Sequence, residues 1–202
     1  MPIIALVLFT VFAVLGFGWR SWVQRRRTGS TGFKGIAGRP GSVEWIAGVG
    51  FIVAVAAGAI APALQLFGVV APLGVLHAAW IQILGIVIAI VGIAATVYAQ
   101  LDMGDSWRIG VDHTETTPLI HSGVFSRVRN PIFTAMIAFA FGITLVTPNV
   151  VALIGFALLV ATIEIQVRAV EEPYLRAVHG NTYREYLAAV GRFFPGVGRV
   201  HR

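Results

Sequence analysis

Five apolar stretches, each bounded by polar residues, decide most of what this chain can become. They run from Ile3 to Phe17, Val43 to Leu66, Leu76 to Gln100, Pro131 to Val146 and Val150 to Val167. A helix needs roughly 20 mainly apolar residues to cross about 30 Å of hydrocarbon. The first and fourth stretches are short, and Trp19 and Trp22 are placed to anchor the first at the membrane interface. Hydrophobic residues make up 57% of the chain and charged residues 12%, too few charges to coat a soluble domain. The expected fold is all-α: a polytopic membrane helical bundle of about five transmembrane helices.

The charges sort with the spans. Arg20, Arg25 to Arg27, Lys34 and Arg39 follow the first span. Arg108, Arg127 and Arg129 lie between the third and fourth, and Arg168 onward follow the fifth. Alternating spans put all fifteen basic residues on one side, and the positive-inside rule assigns that side to the cytoplasm. The N-terminus is then outside, and the first stretch reads as a retained span, since no basic residues precede it. A net charge of +6 records this topology and an attraction to anionic membrane lipids, not a nucleic-acid partner. Lys34 is the one lysine among the basic residues, and alanine, glycine and valine abound, a skew expected of a GC-rich bacterial genome and so of a bacterial plasma membrane. There is no cysteine, which excludes disulfides and thiolate metal sites, and no metal-ligand cluster stands out. Oligomeric state is left open.

Small residues at helical spacing, Gly50, Ala54, Ala57 and Gly58 on the second span and Gly85 and Gly92 on the third, read as surfaces for close helix packing in lipid. Pro62 is expected to disturb the last turns of the second span. Thr147-Pro148-Asn149 leaves room only for an antiparallel hairpin between spans four and five. That hairpin returns the Glu171 end of the fifth span to the side where the fourth begins at Pro131.

Polar chemistry gathers at that rim. Arg129-Asn130-Pro131-Ile132-Phe133 opens the fourth span, and Glu171-Glu172 closes the fifth. Polar and ionisable groups next to hydrocarbon are usually retained for binding or catalysis, although an ordinary charged membrane boundary has the same appearance. The long polar connection from Leu101 to Arg129 reads as a roof over a cavity or as a solvated hinge. On the fifth helix Arg168 shares a face with Glu164 and with Glu171 or Glu172, so these residues form either site groups or structural ion pairs. His179-Gly180 reads as a helix end.

As a set, these residues resemble the isoprenylcysteine carboxyl methyltransferase and phospholipid methyltransferase group of integral membrane enzymes. That group shares an Arg-His-Pro-x-Tyr motif followed one helical hairpin later by Glu-Glu. The similarity extends to Leu119-Ile120 and Gly123-Val124-Phe125 upstream. Downstream it includes Leu175, His179-Gly180-Asn181, Tyr183, Tyr186 and Arg192-Phe193-Phe194-Pro195, so it covers the C-terminal half. Asn130 stands where the group has histidine and Phe133 where it has tyrosine. Asn130 cannot titrate, and Phe133 keeps an aromatic face without the hydroxyl.

The resemblance implies a three-span N-terminal membrane part over residues 1–100 and a catalytic part over 101–202, with a cofactor pocket on the cytoplasmic side. It implies methyl transfer from S-adenosyl-L-methionine to a membrane-soluble, isoprenoid or lipid-like acceptor. The cofactor contacts it implies are Thr117, Leu119, Ile120, Phe125, Asn130, Pro131, Phe133, Glu171 and Glu172, and Arg168 is the residue it implies for meeting the acceptor. An anionic acceptor such as a carboxylate needs no base, which suits a motif without histidine. A phospholipid amine acceptor, or a noncatalytic lipid-binding subunit, are the alternatives. The tail beyond Leu175 is expected either to cap the cofactor or to lie at the membrane interface.

Overall fold

The computed structural model describes residues 1–33, 35–108 and 118–200, and Lys34 and Thr117 lie outside them. Among the described residues the architecture is helical, with two isolated bridges, Val128 to Gly191 and Phe194 to Val197, in place of a sheet. Helix α1 spans Pro2–Thr28, α2 Val43–Leu66, α3 Ala79–Asp102, α4 Pro131–Val146 and α5 Val150–Ile165. A π-helical turn, Gln166–Glu171, joins α5 to α6, Glu172–Ala189. Among the described residues four helices are long and apolar enough to cross a membrane: α1, α2, α3 and the continuous helix beginning at Val150. The shorter α4 is apolar throughout.

The first span is longer than its apolar stretch. It runs past Phe17 through a π turn, Val14–Trp19, and ends where Gly29 adopts a left-handed conformation with its N–H on the Arg25 carbonyl, 3.0 Å away. Glycine has no Cβ to oppose that geometry. The π turn has a use: the Gly16 carbonyl accepts from Gln100 Nε2 at 2.9 Å, tying α1 to α3 inside the bundle. Helix α2 runs through Pro62 to Leu66 rather than stopping there.

Close packing by small residues holds the bundle together. Helices α3 and α4 lie against each other so closely that a Cβ on Gly92 would fall 2.6 Å from the Phe139 backbone nitrogen. One on Gly142 would fall 2.5 Å from that of Ala89, and one on Gly85 would fall 2.7 Å from the Gly142 carbonyl. On the opposite side α2 packs along α5, with Gly50 beneath Thr162 and Gly155 beneath Ala57. Between these pairs Phe12 of α1 stacks on Phe139 of α4, ring centroids 4.0 Å apart, within a core that includes Ala5, Ile93, Met136 and Val146.

The two ends of the bundle differ. At one, fully buried Asn149 caps α5 by accepting from Ala152 N–H at 2.9 Å and donates to the Ala61 carbonyl and to Gln65, while Pro148 accepts from Leu73 N–H at 2.7 Å. The turn after α2 and the turn between α4 and α5 therefore meet, as alternating spans require. At the other end the basic segments converge. Arg20 donates to the Gly104 carbonyl at 2.5 Å and lies over the Trp107 ring, and Gln24 donates to the Asp105 carbonyl at 2.6 Å.

Candidate functional site

At the basic end, α1, α2, α4, α5 and α6 surround a cavity of about 590 Å³, within the size range of small-molecule sites. Its long wall is apolar: Phe17 of α1, Phe51, Ile52 and Val55 of α2, Met136 of α4 and Ile163 and Val167 of α5. Its other end is polar and aromatic, with Arg108, Asn130, Gln166, Glu171, Tyr174, Tyr183 and Tyr186. Ile52 is also exposed on the flank of the bundle, so the cavity extends to the surface that lipid chains face.

The polar end is built on one carboxylate. Glu172, 3% exposed, accepts from Arg129 Nη2 at 3.0 Å, from Arg192 Nε at 2.6 Å and Nη2 at 3.1 Å, and from half-exposed Arg176 at 3.5 Å. Arg129 also reaches the tail: Nη1 donates to the carbonyls of Leu187 and Val190 and Nη2 to that of Gly198 at 3.2 Å, while buried Nε has no partner among the described residues. The Glu172 hydrogen bonds hold the Arg192 guanidinium in its charged form, above its ordinary range. The backbone repeats the clasp, since Arg129 N–H donates to Gly191 and Asn130 N–H and Nδ2 both donate to the Arg192 carbonyl at 3.1 Å.

A second chain of contacts sets the roof. Asp102, at the end of α3, accepts from Val124 N–H at 2.8 Å and leaves no room for a Cβ on Gly123, which takes a positive φ of 56°. The short helical turn Gly123–Ser126 follows and buries the Phe125 ring against the cavity, and the Phe125 carbonyl accepts from Tyr186 Oη at 2.5 Å. Helix α6 reaches that tyrosine only after a break at Gly180 (φ 54°, ψ −123°), where one helical segment ends, as His179-Gly180 suggests, and a second runs on to Ala189.

The sequence-derived candidates sort clearly. Leu119, Ile120, Phe125, Asn130, Pro131, Phe133, Glu171 and Glu172 all line the cavity. Arg168 does not. It pairs with Glu164, its side chain 59% exposed, on the outer face of α5. The cavity-facing stripe of this helix is Ile163, Gln166 and Val167, and Arg168 takes the adjacent face, one turn after Glu164, so of the two roles its position allowed the structure shows the ion pair. Pro173, without an N–H to donate back into the π turn, stands two residues after its end. Glu171 is carried inward, where Gln166 donates to it at 3.3 Å.

A family described as phospholipid methyltransferase matches residues 80–182, just over half of the chain. The chain belongs to the phospholipid methyltransferase family. The matched region begins with α3 and stops before Tyr183, so the family signature holds Arg129 and Glu172 but not their partner Arg192. The fold is that of a solved structure of the eukaryotic intramembrane Ras methyltransferase ICMT (isoprenylcysteine carboxyl methyltransferase). The TM-score is 0.66 over 100% of this chain and 70% of that one, at 17% identity, a level that shows shared architecture. No curated protein matches the chain. This member of a membrane methyltransferase family thus keeps the family's fold.

Several cavity and clasp residues had not been singled out as site residues by sequence. Arg129 and Arg192 both lie in motifs of the sequence, but their contacts with Glu172 span 43 and 20 positions, and no local pattern reveals that pairing. Arg108 and Tyr174 carry no motif at all. Tyr183 and Tyr186 are buried on the cavity, Phe193 packs beneath the α2–α5 core, and Phe194 is exposed, so the tail divides between lining the site and facing outward.

Proposed function

We propose that this protein transfers a methyl group from S-adenosyl-L-methionine to a membrane-soluble, isoprenoid or lipid-like acceptor, with a carboxylate oxygen as the favoured nucleophile. The observation that carries this reading is the two-character cavity. A wall running from Ala47 to Val55 of α2, about 12 Å at 1.5 Å per residue, suits an acyl or prenyl chain. It leads directly to the polar end.

The residues present fit the donor. Phe125, Phe133, Tyr183 and Tyr186 offer ring faces to an adenine. Glu171 supports a cationic group, because both oxygens of Glu172 are engaged by guanidinium groups whereas Glu171 receives the neutral Gln166 amide. Leu119, Ile120 and Pro131 form an apolar rim that keeps water from the reacting atoms. When bound, S-adenosylmethionine supplies an electrophilic methyl group on a sulfonium that leaves as a neutral thioether. The chain then has only to hold nucleophile and donor in line, an effect of proximity and orientation. Among the described lining residues there is no histidine to take a proton, which favours an acceptor that is already an anion.

A phospholipid amine acceptor is the second reading, favoured by the Glu171 carboxylate, which can hold an ammonium head. One experiment separates the two. Purified protein in lipid nanodiscs is incubated with methyl-labelled S-adenosylmethionine and a membrane lipid extract, and the product is treated with mild alkali. A methyl ester releases labelled methanol, whereas an N-methyl group retains its label. Absence of both label transfer and binding of S-adenosylhomocysteine would overturn the catalytic reading and leave a lipid-binding subunit.

A further inference from the structure

The guanidinium groups around the cavity are mostly committed to the protein itself. Arg129 and Arg192 are held by Glu172 and the tail carbonyls, Arg176 reaches Glu172, and Arg168 is paired with Glu164 away from the cavity. Buried Arg129 Nε and Arg20 Nε also lack a partner, but the terminal nitrogens of both side chains are bonded to protein oxygens, whereas no hydrogen bond joins Arg108 to any described residue. Arg108 lines the cavity, its Nη1 is buried, and that atom has no hydrogen-bond partner among the described residues. Its guanidinium carbon lies 6.0 Å from the centroid of Tyr174, itself a lining residue. Arg108 and Glu171 face the same space, and their charges act on each other across it without a hydrogen bond between them.

The base of this side chain is firmly placed. Trp107, next in sequence, is buried beneath the Arg20 guanidinium, and its ring lies so close to Gly32 that a Cβ there would stand 2.9 Å away. The α1 end, the loop after it and the end of α3 therefore all fix the point from which Arg108 extends. A buried, charged donor without a partner is strongly unfavourable, and such a group is retained where something else supplies the acceptor. The planar fork of arginine matches the paired oxygens of a carboxylate or phosphate.

We propose that Arg108 receives an anionic oxygen group, carboxylate or phosphate, of the molecule bound in the cavity, and thereby selects acceptors that carry such a group beside an apolar chain. This rests on the methyltransferase reading above and deepens it. The donor's own carboxylate has the same chemistry, so the test must distinguish the two sources.

The probes are a farnesyl thioether carrying a carboxylate, its neutral methylamide, S-adenosylhomocysteine, and the analogue of that compound lacking the amino-acid carboxylate. Each is titrated into full-length wild type, Arg108→Lys, Arg108→Gln and the exposed control Arg39→Gln, all in nanodiscs, with melting temperature recorded alongside. The expected result is about a tenfold or greater loss of affinity for the acid in Arg108→Gln, in line with one charge-assisted hydrogen bond. Arg108→Lys should recover part of it, and the methylamide should bind all four proteins alike. If the loss falls instead on S-adenosylhomocysteine and disappears with its decarboxylated analogue, Arg108 receives the donor's carboxylate, and its selection of acceptors is overturned. Equal affinities in all variants overturn the proposal. So does a uniform loss for every probe accompanied by a lower melting temperature, which marks a structural role. Failure of wild type to bind S-adenosylhomocysteine while the acid probe still depends on Arg108 would count against the methyltransferase reading alone.

Discussion

Arg129 and Glu172 stand 43 residues apart in sequence and 3.0 Å apart in space, each side chain 3% exposed or less. Between them runs the whole α4–α5 hairpin, so the contact fixes where the two helices end relative to one another. It also brings two charges into a nearly water-free position, where each depends on the other.

Glu172→Gln should therefore destabilise the fold, by about 3–5 kcal/mol, the range for removing one partner of a buried ion pair. Denaturant or thermal unfolding in detergent measures it. Arg176→Met, which removes a half-exposed and more distant partner, should change stability by less than about 1 kcal/mol. Equal, small effects of both substitutions would show that Glu172 does not secure the tail.

The α3–α4 crossing gives a second expectation. Gly92→Ala and Gly142→Ala place a methyl group against backbone nitrogens at 2.6 and 2.5 Å, atoms that move only if the helices separate. A loss of about 1–3 kcal/mol each follows from overpacking. Gly74→Ala, which meets nothing within 4 Å, serves as the control and should be near neutral.

Gly180 tests the bend in α6. Its φ of 54° with ψ of −123° disfavours any side chain, while the space around it is open, so the penalty of Gly180→Ala comes from the backbone alone. It should amount to about 1–3 kcal/mol. Because Tyr183 and Tyr186 lie just beyond the bend, S-adenosylhomocysteine affinity should fall with it. A variant that keeps full stability and full affinity would show that the bend is dispensable.

Orientation in the membrane is directly measurable, since the chain has no cysteine to interfere. Val75→Cys, on the 93% exposed side chain at the turn end, should react with an impermeant thiol reagent added to intact cells. Arg39→Cys, at the basic end, should react only after the membrane is opened. The reverse pattern would invert the positive-inside assignment.

The spans were legible in sequence because hydropathy is a local property, and so was the hairpin, since Thr147-Pro148-Asn149 allows nothing longer. The packing role of Gly85 and Gly92 could be read from spacing alone. Placing Glu171 and Glu172 at the cavity followed from the same hairpin. Arg168 was placed at the acceptor by resemblance, and the structure shows instead the other role its spacing allowed, an ion pair with Glu164 one turn earlier. Arg192 and Arg108 were invisible as site groups for another reason. Their significance lies in which side chain each meets or lacks across the fold; Arg192 opens a motif that does not tell its partner, and Arg108 belongs to none.

The clasp at Arg129 has a consequence for the order of synthesis. Four carbonyl and carboxylate partners of that guanidinium, at Glu172, Leu187, Val190 and Gly198, emerge from the ribosome after the α4 segment that carries it. Until they arrive, a nascent chain holds a bare cation at the lip of its fourth helix, free to stay in water. Seating that helix end and completing the pocket thus become one late event. A chain interrupted after the last span would carry every membrane segment and still lack a finished site, so insertion and competence for binding are acquired separately.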